Sequence, residues 1–386
     1  MIDMHDDLTD VVTQRRLWIA VGACALITVI GLVMLWPRGQ VASSLDSSAL
    51  FGDRVEARVM SNNVEPCTYD PVAGCYHVTL RILGGTNPNT DFTWELPFGS
   101  ANSQFEAGDD LYVYEAALAD GTFSYEFADF QRGTPLLLLG MIFVIAVILL
   151  ARWKGVGAIG GLLASLLVLV VFMLPSLLRG NNAIAVALVG SSMIAFVALY
   201  LAHGVNISTT VALLSTFASL ALIGVLSYIF VASANFTGFT EDSSYILALG
   251  VQIDARGLLL AGIVIGSLGV LDDVTVTQVS AVWELRQLQP EATRKEIYRS
   301  AVNIGRDHIS STVNTLFLTY AGAALPLLLL FNVAGQSIST VSTSEVVATE
   351  IVRSLVGSIG LVASVPISTW LAARVLGLGP VTPATT

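Results

Sequence analysis

Uninterrupted apolar runs of about 20 residues recur along this chain, and each is long enough as a helix to cross roughly 30 Å of hydrocarbon. That length excludes most soluble folds, because a water-facing helix must alternate an apolar stripe with a polar face. The composition agrees. Charged residues make up 12% of the 386 positions and the mean hydropathy is +0.74, whereas soluble domains carry about 25% charged residues. The sequence predicts a mainly α, polytopic transmembrane helix bundle of about eight spans with a small extracytoplasmic β-barrel or β-sandwich domain. The spans are expected at 17–36, 135–151, 155–178, 183–203, 208–233, 256–282, 309–332 and 352–375.

The first apolar stretch, Leu17 to Trp36, is longer than the core of a cleavable signal, and no clear small-residue cleavage site follows Pro37. It reads as a retained signal anchor. Placing the N-terminus in the cytoplasm puts Arg15, Arg16, Arg152, Lys154, Arg286, Arg294, Lys295, Arg299, Arg306 and Arg374 inside. Arg38, Arg132, Arg179, Arg256 and Arg353 then fall near outer ends. This is the direction of the positive-inside rule. The expected location is therefore a membrane crossed several times, with the N-terminus cytoplasmic and residues 38–134 extracytoplasmic. The predicted layout is 1–37 N-terminus and anchor, 38–134 β-domain, 135–282 spans two to six, 283–308 a cytoplasmic amphipathic connector, and 309–386 the last two spans and tail.

Residues 38–134 carry 14 Asp and Glu against 5 Arg, which is most of the chain's net charge of −11. A solvated acidic surface follows, and nucleic acid is not an expected partner, since a basic patch is its footprint. Short runs rich in β-branched and aromatic residues at Val55–Met60, Tyr76–Leu83, Phe92–Leu96, Leu111–Ala116 and Thr122–Phe127 predict five strands, separated by clusters such as Gly84 to Asn89. Cys67 and Cys75 bracket a turn-rich segment on the outer side and are expected to form a disulfide. Cys24 lies inside the first span and reads as a small buried hydrophobe. A metal site at the cysteine pair is the lesser reading, with only His77 nearby, and no metal or other cofactor is expected.

Polar chemistry enters the apolar runs at one place. An apolar stretch ends in Asp272 and Asp273, followed by Thr275, Thr277, Gln278 and Ser280. On a helix Asp273, Thr277, Ser280 and Glu284 share a face. A carboxylate drawn toward the bilayer centre costs several kcal/mol and so usually faces a bundle interior or water. The next span opens with Arg306, Asp307 and His308 and continues through Ser310, Ser311, Thr312 and Asn314. Two consecutive polar stripes entering from one side predict a cation or proton pathway between spans six and seven, with Arg306 opposite the aspartates. The bland alternatives remain open: an aspartate pair at the interface, or polar residues that join helices by hydrogen bonds. Thr293 and Glu296 fit a capping box, and Ile297, Ala301 and Ile304 lie on one face of the helix it would start. Gly157 with Gly161, and Gly262 with Gly266, suggest close helix packing. Pro175, Pro326 and Pro366 are candidate kinks.

Four segments resemble the YibE/F family of bacterial multi-pass membrane proteins: FADFQRGTPL at 127–136, RWKG at 152–155, GVLDDVTVTQ at 269–278 and GRDHISSTVNT at 305–315. The resemblance extends from the outer domain onward. It implies a multi-pass topology in a bacterial plasma membrane and adds weight to Asp272, Asp273, Arg306, Asp307 and Asn314. It implies no catalytic residue, because no biochemical activity defines the family.

Two functions are carried forward. The first is an integral membrane transporter or channel-like protein whose pathway uses Asp272, Asp273, Thr275, Thr277, Gln278, Arg306, Asp307, His308, Ser311 and Asn314. The second is a non-transporting cell-envelope scaffold or sensor that binds a partner through its outer β-domain. The lipid bilayer is the expected surrounding, and a second copy of the chain or an envelope protein meeting residues 38–134 is the expected partner. An enzyme is not expected: the chain has no P-loop or catalytic triad, and Val276 stands where a DDxxD-type site needs a further carboxylate.

Overall fold

The computed structural model describes residues 11–38, 53–68, 70, 74–97, 105–118, 120–239 and 254–376. The chain divides into two compact units, residues 42–146 and residues 1–41 with 147–386.

In the first unit all five expected strands form. They are β1 (Asp53–Pro66), β2 (Gly74–Ile82), β3 (Asp91–Pro97), β4 (Asp110–Ala117) and β5 (Phe123–Phe130), joined in one antiparallel sheet of order β3-β2-β1-β4-β5. Strand periodicity sends alternate side chains inward: Val55, Ala57 and Val59 of β1, Val78, Leu80 and Ile82 of β2, and Leu111 and Val113 of β4 are buried. The sheet is curled. The Trp94 indole of β3 donates to the Tyr125 carbonyl of β5 at 2.6 Å, and Phe92 meets Tyr125 edge-on at 5.2 Å, so the two edge strands approach each other over the core. Glu115 follows the same inward period. Its buried carboxylate accepts from the Thr86 amide and hydroxyl and from the Tyr125 hydroxyl at 2.9–3.2 Å, which supplies the partners a buried charge requires.

On the outer face, Arg58 pairs with Asp110 and Arg81 with Asp91 across strands, exposed contacts that contribute little individually. The expected Cys67–Cys75 disulfide is present and ties the end of β1 to the start of β2. Cys67, Cys75 and Glu95 lie close enough together to suggest a metal site, but both sulfurs are committed to the disulfide and supply no thiolate.

The second unit is a helix bundle. Its elements are α1 (Val11–Leu35), α2 (Gly133–Val168, whose start lies in the first unit), a wide turn over Leu169–Met173, α3 (Leu174–Leu178), α4 (Ala183–His203), α5 (Ile207–Ser233), α6 (Ala255–Leu288), α7 (Arg294–Ala323), α8 (Leu325–Val333), α9 (Ile338–Thr343) and α10 (Glu345–Val375). Among the described residues six stretches are long and apolar enough to cross a membrane, and the pair α7–α8, bent by 57° at a break, makes a seventh if it is counted as one span. Pro326 lies at that bend and Pro175 follows the wide turn, whereas Pro366 sits inside α10.

The stretch Gly133–Leu178 is not straight. Arg152 has non-helical angles (φ 53°, ψ −129°). Eight residues of straight helix advance about 12 Å, yet a Cβ on Gly155 would lie 2.7 Å from the Val147 carbonyl oxygen. The chain therefore reverses at Arg152, and Gly155 is needed because any side chain there would strike Val147 on the limb before the turn. The limb after the turn corresponds to the run 155–178.

Side-chain caps begin the helices where the sequence supplies them. Asn182, Asn206 and Asp254 accept from the amides of Ala185, Thr209 and Gly257, and Thr293 with Glu296 forms the expected capping box. The separate connector helix expected over 283–308 does not form. Instead α6 runs on to Leu288 and α7 starts at Arg294 without a further break before Ala323. The buried Arg286 closes the intervening turn by donating to the Pro290 and Ala292 carbonyls.

Helices α5, α6 and α10 form the centre, with α4 against α6, α7 against α10, and α1 against α4 and α5. The helix ends segregate. Leu17, Ile207, Val282, Trp283, Ile297 and Val375 share one apolar cluster at one end. At the other end Ser176 and Asn181 donate to the Leu35 carbonyl, and Glu345 accepts from Thr237 and Gly238. Gly157 and Gly161 admit the α4 backbone at Leu201 and Ala198, as the motif predicts. Gly262 and Gly266 instead make room for the Arg353 and Tyr320 side chains.

Replacing Cys67 and Cys75 by Ala is expected to destabilise the sheet by about 2–3 kcal/mol, since the bridge closes a short loop. The check is faster hydrogen exchange in the β1–β2 ladder of the full-length protein. Arg81 and Arg132 hold the carboxyls of Asp91 and Asp129 below the usual aspartate range. Such groups stabilise the fold above that range and lose the contribution as pH falls through it. The β-domain should therefore melt at lower temperature as pH drops below about 4, with Arg81→Gln and Arg132→Gln flattening that dependence.

Candidate functional site

The helical period places Asp273, Thr277, Ser280 and Glu284 on one face of α6, and all four are exposed from the packed core. Asp272, one step round the helix, is half-buried. Its neighbour Leu268 and residues Asp272, Asp273, Val276 and Thr277 form one wall of a cavity of about 660 Å³. The second limb of α2 (Ala158, Gly161 and Ser165) and α4 (Ala198, Ala202 and His203) form the others. The wall is mostly apolar, and the two carboxylates, Thr277, His203 and Ser165 are its polar groups.

The Asp272 carboxyl points into a place where its environment does not satisfy it. Oδ1 is buried with no hydrogen-bond partner among the described residues, while the Thr216 hydroxyl of α5 lies beside the carboxyl group. Thr216 Oγ1 is also 2.8 Å from Thr275 Oγ1. Thr277 Oγ1 donates to the Asp273 carbonyl at 2.7 Å, so its hydroxyl proton is spent on the helix. Asp273 makes no ion pair among the described residues, where the pairs formed are Arg58–Asp110, Arg81–Asp91, Arg132–Asp129 and Arg353–Glu350.

The expected site residues separate into three groups. Asp272, Asp273 and Thr277 share the cavity. Thr275 turns to α5. Gln278 turns to the opposite side, where it is buried and donates to the Ala301 carbonyl of α7 and to Thr369 Oγ1 of α10, both at 2.7 Å. Its neighbour across the interface is Gly305, where a Cβ would lie 2.7 Å from Gln278 Oε1.

The third group departs from expectation. Arg306 does not oppose the aspartates; it is exposed and reaches only Asn303 Oδ1, at 3.4 Å. Asp307, Ser311 and Asn314 share an exposed face of α7, and His308 is half-buried beside them. The physical reason is rotation: Gln278 lies five residues beyond Asp273, roughly 140° round the helix, and it is Gln278's face that meets α7. The two polar stripes therefore do not face each other across the α6–α7 contact.

Sequence reasoning missed the partners on other helices. His203 and Ser165 complete the polar part of the cavity, and the hydroxyls of α5 form an internal stripe in which Thr216 and Ser219 are fully buried. The signal was present in Ser208, Thr209, Thr210, Ser215, Thr216 and Ser219, a density of hydroxyls that membrane helices use at packed interfaces.

A family model described as YibE/F-like protein matches residues 139–377, well over half of the chain. The chain belongs to that family. The YibE/F-like region contains both limbs of the reversal at Arg152 from residue 139 onward, the cavity, Gln278 and the whole polar face of α7. It leaves out the β-domain and the segment 127–136. Comparison with curated proteins and with solved structures finds no match.

Because Gln278 joins three helices from a buried position, Gln278→Ala is expected to destabilise the bundle by about 1–2 kcal/mol. Arg306→Ala should change it by less than about 0.5 kcal/mol. Thermal melts of the two variants in the same detergent check the contrast.

Proposed function

We propose that the protein is a transporter or channel-like protein of the bacterial plasma membrane, with a cation or proton site at Asp272 and Asp273. The observation that carries this reading is the Asp272 carboxyl, buried at a cavity wall with one oxygen unpartnered. An ionised carboxylate held in an apolar bundle is costly unless it meets water, a cation or a proton. The cavity offers all three a place beside it. The pathway then runs between the second limb of α2, α4 and α6, not between α6 and α7.

The topology that goes with this reading has eight crossings. A 46-residue apolar stretch would extend about 70 Å at 1.5 Å per residue, more than twice the hydrocarbon thickness. Its reversal at Arg152 supports two crossings, with Arg152 and Lys154 on the cytoplasmic side as the charge bias requires. The segregated helix ends agree with strict alternation. The curled sheet is read as a partly open barrel on the outer side, serving as a gate or a docking surface.

A second reading is a non-transporting cell-envelope scaffold or sensor that binds a partner through its outer β-domain. The exposed face of α7 favours it. Asp307, Ser311 and Asn314 lie where apolar residues would suit lipid, and polar groups at such depth usually meet another helix.

Ion and proton flux in proteoliposomes distinguishes the two. The transport reading expects flux in the wild type that Asp272→Asn and Asp273→Asn abolish while the melting temperature is maintained. Absence of flux for protons and common cations, together with a marked loss of thermal stability in the variants, would sink it in favour of the scaffold.

A further inference from the structure

Beside the large cavity lies a second, smaller pocket of different chemistry. Its volume is about 140 Å³, the share of four or five water molecules at roughly 30 Å³ each. It is lined by Lys154, His203, Asn206, Ser208, Thr209 and Ser280, with Ala212 and Val276 closing the floor. The larger cavity shares His203 and Val276 with it but contributes neither aspartate to its lining. Lys154 is thus the one formally charged side chain on its wall, and it makes no ion pair among the described residues.

Three features make this a built site for an anion. The first is the start of α5, a 27-residue helix whose opening amides and dipole favour negative charge. Asn206 caps it, accepting from the Thr209 amide at 2.7 Å and donating to the His203 carbonyl at 3.1 Å. That holds the pocket rim rigid. The second is Thr209, a pocket-lining residue 4% exposed overall, whose hydroxyl oxygen is not among the fully buried, unpartnered atoms of the described residues and so keeps its open surface toward the pocket. A hydroxyl that opens onto a pocket from a side chain otherwise enclosed is placed to donate to an occupant that accepts a hydrogen bond. The third is the reversal of α2 at Arg152, which brings Lys154 to this helix start. Lysine binds phosphate groups as a point charge, and Ser208 and Ser280 add two hydroxyl donors. Asp272 and Asp273 line only the adjoining cavity and Lys154 lines only this pocket, so the anion is disfavoured there and favoured at Lys154.

We propose that this pocket binds a phosphate-type oxyanion, held by the Lys154 ammonium, the Ser208 and Thr209 hydroxyls and the helix start of α5. The proposal does not depend on the aspartates carrying a cation. The anion is either free phosphate or the phosphate of an acidic lipid headgroup.

The test uses the full-length protein in nanodiscs of phosphatidylcholine, with calorimetric titration of inorganic phosphate. Saturable binding is expected in the wild type. Lys154→Gln should weaken it about tenfold or more, the loss of one charge-assisted contact, Thr209→Val should weaken it several-fold, and Lys295→Gln should leave it unchanged. In nanodiscs containing phosphatidylglycerol, competition against phosphate that needs Lys154 identifies a headgroup as an occupant, and no competition identifies the free anion. Should Lys154→Gln fail to fold, folded Thr209→Val carries the comparison. The proposal is overturned if phosphate does not bind and phosphatidylglycerol gives no stabilisation dependent on Lys154 or Thr209. It is equally overturned if binding occurs but is undiminished in the folded variants.

Discussion

Hydrogen-bond satisfaction without water is the constraint on which the helix bundle depends. Helices of this apolar character gain little from the hydrophobic effect against one another when lipid surrounds them, so close packing and internal polar contacts must hold them together. The central helices meet that demand through small groups. Thr216 of α5 faces Thr275 of α6, and Gln278 of α6 joins the Ala301 carbonyl and the Thr369 hydroxyl. Other hydroxyls, such as Ser215, Ser267, Ser364 and Ser368, return their protons to carbonyls of their own helices. Against these satisfied groups, the Asp272 carboxyl oxygen is buried without a partner among the described residues, as are the hydroxyls of Ser191, Ser219, Ser227 and Ser354; of these residues Asp272 alone lines the larger cavity.

The two pockets differ because one turn of chain puts opposite chemistry on neighbouring surfaces. The reversal at Arg152 sends the second limb of α2 back along α4, with Gly157 and Gly161 allowing backbone contact there. That limb supplies the apolar wall of the larger cavity and leaves Lys154 at the start of α5. Helix α6 then offers the aspartates to the first pocket and Ser280 to the second. Acidic and basic groups are thereby separated by His203 and Val276, which border both.

The β-domain solves a different problem. With water on its outer face it can carry exposed ion pairs such as Arg81–Asp91, but its core is small. Curling the sheet brings Trp94, Phe105, Phe127 and Phe130 into ring contact, and the Cys67–Cys75 bridge limits the freedom of the unfolded chain. Glu115 is tolerated inside only because Thr86 and Tyr125 both donate to it.

Much of this architecture was legible in the residues alone. Apolar run length dictates the long helices, alternation and turn residues dictate the five strands, the spacing of Cys67 and Cys75 dictates their pairing, and Thr293 with Glu296 dictates a helix start. These are local properties, settled by backbone geometry within a few residues or by the thickness of a bilayer. The common face of Asp273, Thr277, Ser280 and Glu284 was legible for the same reason. What faces it was not. The helical period orders residues around one axis but carries no information on which neighbour meets each side. Only the packed bundle turned Gln278 toward α7, the aspartates toward α2 and α4, and the polar stripe of α7 outward, because those choices rest on contacts between segments far apart in the chain.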